Sequence, residues 1–196
     1  ARVLQHNAGK RSICVDIKRS KGLKIVRDLC AKADVIIQAF TPGTMDRLGL
    51  SYDTLKAINP GVIMCSISGF GQTGRNTSRP GYAHLAHSMA GWLSMQFLHR
   101  DPPEIPRGPG IAIADTTTGL TAFGAVGAAL YRKAITGEGD HLDIALFDSL
   151  YGSNDSSLQT YLTSGEIDVW YHPVHAAKDG YVTALAGPDH ASWRRI

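Results

Sequence analysis

The chain has 196 residues, 43% hydrophobic and 19% charged, which suits a soluble domain, or one domain and the beginning of a second. Its net charge of +3 is small and dispersed, which argues against nucleic acid as a partner, although a few cations converging on one cleft would suit a small polyanion. No window approaches the ~18 consecutive apolar residues of a membrane span, so no membrane partner is predicted.

The chain begins with Ala1 and lacks the charged-then-apolar pattern of a signal peptide, so we expect it to start inside a longer protein. Its three cysteines, Cys14, Cys30 and Cys65, lie in apolar, periodic segments without CxxC spacing. This pattern predicts reduced core cysteines rather than a disulfide or zinc framework. Reduced thiols favour a cytoplasmic protein, or a mitochondrial or peroxisomal one in a eukaryotic cell.

Strands and helices alternate along the first half of the chain. Ser20 is predicted to cap a helix whose apolar positions follow the 3, 4, 7 spacing of one face. Alternating strands and helices imply right-handed crossovers, so we predict an α/β fold with a doubly wound, mostly parallel sheet. The predicted strands are residues 11–17, 34–40 (a buried, β-branched run) and 62–68, and short helices are predicted at 45–48 and 52–58.

The central part of the chain is rich in glycine and proline. Residues 69–80 are predicted as a polar, glycine-rich loop, followed by a helix at 82–95 and a proline-rich connection at 101–110. A short apolar segment, predicted as the end of a strand, then leads to Asp115. Residues 116–134 are predicted as a helix with so many small side chains that it must pack very closely against another element.

In the last third of the chain, one more strand and helix are followed by a β-hairpin. A strand is predicted at 141–146, a helix at 148–163 and a β-hairpin at 174–186. We therefore expect residues 1–165 to form a large α/β domain, and residues 166–196 to form a linker and the beginning of a small α+β domain.

Residues 69–74, GFGQTG, fit the G-x-G-x-x-G pattern of dinucleotide-binding proteins. That fingerprint requires the third glycine to open a helix whose N-terminus faces the pyrophosphate. Residues 75–81, RNTSRPG, cannot form the first turns of a helix. We therefore interpret the segment as a loop that covers a ligand, with an ordinary surface turn as the alternative.

Several segments, taken together, resemble class III CoA-transferases, the CaiB/BaiF family that includes formyl-CoA transferase and L-carnitine CoA-transferase. They are residues 7–13 (NAGKRSI), 42–49 (PGTMDRLG), 59–74, 79–82 (RPGY), 114–119 (ADTTTG), 136–139 (TGEG) and 178–182 (KDGYV). The resemblance implies a Rossmann-like large domain, coenzyme A as a substrate and an interlocked homodimer. Family members are considerably longer, so it also implies a missing N-terminal segment and a missing part of the small domain.

The resemblance implies that Asp115 is the nucleophile. A carboxylic acid has an unperturbed pKa near ~4, so a carboxylate needs no general base to attack an acyl-CoA thioester. The expected intermediates are a mixed anhydride and then an aspartyl-CoA thioester, from which an acceptor acid collects the CoA. A helix N-terminus offers N–H groups to stabilise the oxyanion. From the residues alone, an Asp that only caps a helix is an equal alternative.

The glycine-rich loop is expected to close over the reacting acyl group. Gly69, Gly71 and Gln72 belong to this loop, and its glycines permit close backbone approach and movement between half-reactions. Tyr82 occupies the position where the related α-methylacyl-CoA racemases carry a histidine acid/base. A tyrosine, with a pKa near ~10, is a poor acid/base for racemisation, and the usual transferases also have tyrosine there.

His84 and His87 are spaced i and i+3 on the helix predicted after Tyr82. They could replace the racemase histidine or bind a metal, but no third ligand has suitable spacing, so we predict no metal. Exposed or core-edge histidines are the alternative interpretation, which also applies to His172 and His175.

The resemblance also implies a binding site for the nucleotide end of CoA. Lysine and arginine suit its anionic phosphates, and arginine can grip phosphate in a fork geometry. Each of these cations is otherwise a solvated surface charge. The implied residues are Val15, Lys18, Phe40 and Arg47, with Arg75 and Arg79 as further candidates near the mouth of the site.

One departure from the family concerns this same site. Family members commonly have Glu-Asn-Phe where this chain has Gln38-Ala39-Phe40. Ala39 therefore lacks the polar contact that an asparagine would make, which affects the details of CoA placement.

The function predicted from the sequence is the transfer of CoA between carboxylic acids. The alternatives are an acyl-CoA racemase or epimerase of the same fold, and a catalytically silent CoA-binding module. The polar loop and the absence of a long apolar groove favour short, dicarboxylic acids. By itself the chain is expected to be inactive and poorly soluble, because its small-residue helix would lose the surfaces against which it packs.

Overall fold

The computed structural model describes residues 6–93, 112–165 and 174–183 of the chain. The elements in chain order are α1 (Ser20–Cys30), β1 (Val35–Gln38), α2 (Thr44–Arg47), α3 (Tyr52–Ile58), β2 (Ile63–Ser68), α4 (Ala83–Met89), α5 (Ile113–Thr136), β3 (Asp140–Ala145), α6 (Leu146–Gly152), α7 (Asp155–Ser164), β4 (Val174–Ala176) and β5 (Tyr181–Thr183). In these ranges no helix has both the length and the apolar content needed to cross a bilayer.

Strands β1, β2 and β3 form a parallel sheet in that order. Helices connect the strands, because a parallel neighbour can be reached only by a crossover. The predicted α/β class with a parallel sheet is confirmed.

Two apolar clusters cover opposite faces of this sheet. Met64 belongs to one cluster and Ile67 packs against the other, and these side chains point to opposite faces because they are three residues apart on β2. The Met64 cluster includes the buried residues Cys30, Met45, Leu50, Leu55 and Val62. The Ile67 cluster contains Ala86, Ala90, Ala114, Leu146 and Leu150. Helices on both faces agree with the doubly wound arrangement expected from the sequence.

The predicted strand at 11–17 is wrong, because these residues pair with no strand in the described part of the chain and Ile13 is 64% exposed. Asp16 ends the extended run: its carboxylate accepts the N–H of Lys18, and its carbonyl accepts the N–H of Arg19. The predicted cap is wrong by one residue, since Ser20 is the first residue of α1 and Arg19 is the N-cap, without a side-chain hydrogen bond.

The predicted buried strand at 34–40 is shorter and less buried than expected. It forms β1 only from Val35 to Gln38, at an edge of the sheet, and Ile37 is 64% exposed. The prediction of core cysteines is confirmed for Cys30 and Cys65, which are buried free thiols, and is wrong for Cys14, which is exposed. Burial raises the pKa of both buried thiols, which keeps them protonated and inert.

Helix α5 is longer than predicted, running from Ile113 to Thr136 and ending at Gly137 with φ +75°. Ile113 and Ala114, directly before Asp115, therefore begin this helix instead of ending a strand. Its small residues differ in burial: Ala122 and Ala129 are buried, whereas a Cβ added at Gly119, Gly124 or Gly127 would meet nothing within 4 Å. The predicted close packing is therefore confirmed for the two alanines but not for the three glycines, in the part of the chain that the structure describes.

The remaining elements largely follow the predictions. Residues 69–80 form a loop. Helix α4 ends at Met89, the chain turns at Ala90 and Gly91, and Trp92 and Leu93 are helical again. The helix expected at 148–163 is divided into α6 and α7. The hairpin is confirmed as an antiparallel pair of β4 and β5. The proline-rich connection at 101–110, and residues 94–95 and 184–186 of the predicted elements, lie outside the described residues.

Candidate active site

A cavity of about 250 Å³ lies at the carboxyl ends of the three parallel strands. Its lining includes the residue that follows each strand: Ala39 after β1, Gly69 after β2 and Leu146 after β3. Open α/β sheets bind ligands at this edge, because the loops that leave the strands converge there. The cavity is therefore our candidate active site.

Asp115 lines this cavity from the first turn of α5. The N-cap of α5 is Ala112, so the interpretation of Asp115 as a simple N-cap residue is wrong. The first turn of a helix has N–H groups without intrahelical partners, and the helix dipole favours negative charge there. Asp115 is an exposed carboxylate beside these N–H groups. If it attacks a carbonyl group, the N–H groups can stabilise the oxyanion that forms.

His87, on α4, accepts a hydrogen bond from the beginning of α5. Its side chain is buried, with 1% exposure, and its Nε2 accepts the backbone N–H of Ala114 at 3.1 Å. Burial lowers the pKa of His87, nearby His84 lowers it further, and Asp115 opposes the shift. His87 is therefore a core histidine and His84 an exposed one, and their ring centroids are 6.5 Å apart.

Two glycine backbones meet at the floor of the cavity. A Cβ added to Gly81 would lie 2.6 Å from the Cα of Gly69, and one added to Gly69 would also collide with Gly81. The carbonyl of Gly69 in turn accepts the N–H of Phe147 at the start of α6. Gly81 was not singled out from the sequence, although it belongs to the RPGY segment, because only the folded chain shows which backbones touch.

The middle of the glycine-rich loop, residues 70–76, does not line this cavity. Gly71 and Gly74 have φ values of +86° and +98°, which side chains rarely permit. The N–H of Gln72 donates to Oδ2 of Asp143 at 2.8 Å, so a carboxylate on β3 anchors the loop. Gln72 lines a second, smaller cavity instead of the one that contains Asp115. Asp143 was missed from the sequence because it lies 71 residues from Gln72.

The segment after β1 also lines the cavity. Ala39 and Phe40 both line it, as does Thr41. The buried side chain of Gln38 accepts the N–H of Phe40 through Oε1 at 2.7 Å, which fixes the turn at the end of β1. The structure thus brings Ala39 and Phe40 to the same cavity as Asp115.

The cations predicted for CoA divide into two groups. Arg79 lines the cavity. Arg47 is not in the lining; its Nη2 donates to Oγ1 of Thr44, which is 2.9 Å from Oγ1 of the lining residue Thr41. The other predicted residues that the structure describes, Val15, Lys18, Arg75 and Tyr82, are not part of the cavity lining. Val15 packs near Gly22. Lys18 and Arg75 are exposed, and Tyr82 is the N-cap of α4 with 69% exposure.

Fold and site together define an α/β protein with a carboxylate at a helix N-terminus, facing a cavity at the carboxyl edge of a parallel sheet. The pattern of CoA-transferase family III matches residues 1–196. This chain belongs to CoA-transferase family III.

Relatives and solved structures agree with this assignment. The chain is 36% identical to succinate–glutarate CoA-transferase of Agrobacterium fabrum, over 97% of the chain and 49% of the relative. It is 35% identical to human succinyl-CoA:glutarate CoA-transferase, over 94% of the chain and 43% of the relative. A crystal structure of a CaiB/BaiF family protein from Brucella suis superimposes with a TM-score of 0.79 at 40% identity, covering 89% of this chain and 48% of that one. The chain thus spans about half the length of these proteins.

Proposed function

We propose that the protein containing this chain transfers CoA from an acyl-CoA to a carboxylic acid, with Asp115 as the nucleophile. The observation that carries the proposal is the position of Asp115, which faces the strand-end cavity from the first turn of α5. The family and the names of the relatives support the same chemistry.

The first half-reaction transfers CoA to the enzyme. A carboxylate oxygen of Asp115 attacks the thioester carbonyl, the C–S bond breaks, and the CoA thiolate leaves with the electron pair. The thiolate then attacks the Asp115 carbonyl of the mixed anhydride and releases the donor acid, leaving an aspartyl-CoA thioester. N–H groups in the first turn of α5 would stabilise the oxyanions.

The second half-reaction repeats these steps with the acceptor acid. Its carboxylate attacks the aspartyl thioester, which forms a new anhydride and again releases the thiolate. Attack of the thiolate on the acceptor's acyl carbon gives the new acyl-CoA and regenerates the carboxylate of Asp115. The loop that contains Gly69, Gly71 and Gln72 would cover the acyl group in both halves, because its positive-φ glycines allow the backbone to move.

Coenzyme A is proposed to enter along the segment that follows β1. Phe40 is 47% exposed at the cavity, which suits contact with an apolar part of the cofactor. The exposed Arg47, close to Thr44, is a suitable partner for phosphate, whereas Arg79 lies in the cavity with Asp115 and is better placed for the acyl group. Val15, Lys18 and Arg75 remain proposed contacts of the nucleotide end outside the cavity, and the contact of an asparagine side chain is lost at Ala39.

The acids exchanged are proposed to be short dicarboxylates. A cavity of about 250 Å³ accommodates a small acyl group rather than a long chain. Arg79 lines this cavity together with Asp115 and forms no ion pair among the described residues, so it is available for a second carboxylate. The relatives named above act on succinate and glutarate, which are dicarboxylic acids.

The active protein is proposed to be an interlocked homodimer in a reducing compartment, the cytoplasm. The family resemblance supports the dimer. The free, exposed thiol of Cys14 is consistent with a reducing environment.

The decisive experiment traps the intermediate in the protein at its natural length. Incubation with succinyl-CoA, followed by a hydroxylamine or borohydride quench and peptide mass spectrometry, should identify Asp115 as the modified residue. Asp115→Asn preserves the size of the side chain but removes the nucleophile, so turnover should fall by roughly 10³-fold or more. An Asn variant with full turnover would contradict the proposed route.

Two further measurements separate the alternatives. Deuterium incorporation at the α-carbon of an acyl-CoA without any acceptor acid would indicate an epimerase, which exchanges that proton with solvent. Tight CoA binding by calorimetry without any acyl exchange would indicate a silent binding module. The proposed transferase should instead exchange CoA only when an acceptor acid is present.

A further inference from the structure

A histidine from another helix provides a hydrogen-bond acceptor for the helix that carries Asp115. The N-cap residue, Ala112, has no polar side chain with which to accept a first-turn N–H group of α5. Nε2 of His87 accepts the N–H of Ala114 instead, at 3.1 Å. Ala114 is fully buried and directly precedes Asp115, so this bond fixes the backbone next to the nucleophile.

The hydrogen bond also defines the protonation state of the ring. A nitrogen that accepts a hydrogen bond carries a lone pair, so His87 is neutral with its proton on Nδ1. Nδ1 is buried and has no partner in the described residues. Protonation of Nε2 would place one donor against another, the ring N–H against the Ala114 N–H, and the bond would be lost.

The surroundings of the ring hold it in the neutral form. His87 is 1% exposed and lies against Trp92, with ring centroids 5.7 Å apart. His84 on the same helix opposes a charge on the ring, whereas Asp115 on α5 favours one. The third helix of this cluster, α6, carries Asp148 and Tyr151 as its titratable residues. Burial is the largest of these influences, so the pKa of His87 lies below its ordinary value.

We propose that His87 is a positioning residue for the nucleophile: its neutral ring holds the first turn of α5 so that the Asp115 carboxylate faces the cavity, and protonation of the ring releases that turn and slows acylation. The proposal rests on the role proposed for Asp115. His87 acts through the Ala114 backbone and need not touch the substrate.

The sign of the resulting pH dependence follows from the direction of the shift. Because the pKa of His87 is lowered, the ring stays neutral down to a pH below the ordinary ~6.5 of histidine. Acylation of Asp115 should therefore be constant near neutral pH and decline on the acid side, with a midpoint below ~6.5. The decline should follow one ionisation and precede loss of the fold.

Substitutions of His87 test the role directly. His87→Gln offers a side-chain oxygen that accepts the Ala114 N–H but does not titrate, so acylation should persist through the acid range where the wild type declines. His87→Leu offers no acceptor, so it should be acylated about tenfold more slowly than the wild type at pH 8 and show no acid decline, the effect of one lost buried hydrogen bond. The readout is the rate of single-turnover acylation by succinyl-CoA, followed by intact-protein mass spectrometry from pH 5 to 8.

His84→Gln is the matched control on the same helix. It should leave acylation at pH 8 unchanged, because His84 makes no contact with the Ala114 N–H. It should also move the acid decline to higher pH, because removing this positive neighbour makes protonation of His87 easier. A purely structural role of His87 would not give this shift.

The hydrogen bond can also be measured without any turnover. ¹⁵N NMR of the wild-type imidazoles at pH 7.5 should show His87 protonated at Nδ1 and unprotonated at Nε2. The Nε2-protonated tautomer, or a charged ring at this pH, would overturn the proposal even if His87→Leu fails to fold.

The kinetic outcomes distinguish this proposal from the proposed function. If wild type and His87→Gln are both acylated at Asp115 with the same pH profile, the role of His87 is wrong while the function stands. If Asp115 is acylated in neither protein at any pH, the proposed function is wrong, and the role of His87 with it.

Discussion

At the scale of single residues, the candidate site combines a carboxylate with a cation in one small cavity. Asp115 and Arg79 both line it, and Nη1 of Arg79 is 3.7 Å from the sulfur of Met89. An arginine without an ion pair among the described residues is a suitable partner for the far carboxylate of a dicarboxylic acid.

Arg79→Met tests this role in substrate selection. The change keeps an unbranched side chain but removes the charge, so kcat/KM for succinate as acceptor should fall by about 10- to 100-fold. The value for a monocarboxylic acid of similar length should change little. Equal losses for both acids would show that Arg79 does not recognise the second carboxylate. Lys32→Met, at an exposed position outside the cavity lining, is the control for loss of a positive charge.

At the scale of secondary-structure elements, the site depends on close contact between the end of β2 and the segment that enters α4. Gly69 and Gly81 approach so closely that a Cβ on either would collide with the other backbone. These glycines are required by the contact itself, since neither has a positive φ. Movement here would shift α4, and with α4 the ring of His87 beneath Asp115.

Gly81→Ala should therefore separate these two segments. We expect it to destabilise the fold by about 1–3 kcal/mol and to reduce acylation of Asp115, because overpacking forces the backbone to shift. Thermal unfolding and single-turnover acylation measure the two effects.

Gly119→Ala is the control for the change from glycine to alanine. Gly119 is helical, and an added Cβ would meet nothing within 4 Å, so the substitution should stabilise α5 by up to about 1 kcal/mol. If both variants behave alike, the contact between Gly69 and Gly81 does not constrain the site.

At the scale of the whole molecule, helix α5 presents a broad apolar face to solvent. Leu120, Phe123, Tyr131 and Ile135 are between 68% and 81% exposed. Large exposed apolar patches mark interaction surfaces in soluble proteins. The proposed homodimer would cover this face with a second copy of the protein.

Phe123→Glu tests that assignment in the protein at its natural length. A charge in a buried apolar interface is costly. The dissociation constant of the dimer, measured by sedimentation, should therefore rise by at least about tenfold. Leu29→Glu, on the exposed side of α1, should leave the dimer unchanged. A wild-type protein that is already a monomer, or a variant with unaltered association, would contradict the assignment.

Much of the α/β fold could be predicted from local patterns. The β-branched run at 34–40, the helix at 52–58 and the strand at 62–68 were placed correctly or within a few residues, because their periodicity and turn residues act locally. The predicted strand at 11–17 failed because a strand also needs a neighbour, and the turn at Asp16 ends the segment early.

The site shows the same division between local and distant information. The sequence by itself determined that Asp115 lies at the beginning of a helix and that residues 69–74 form a glycine-rich loop, since apolar spacing and glycine content are properties of neighbouring residues. Only the tertiary structure decided that Asp143 anchors this loop, that Gly69 meets Gly81, and that His87 holds the turn before Asp115. These contacts join residues 71, 12 and 27 positions apart, and such pairs come together only when β2, α4, α5 and β3 pack into one core.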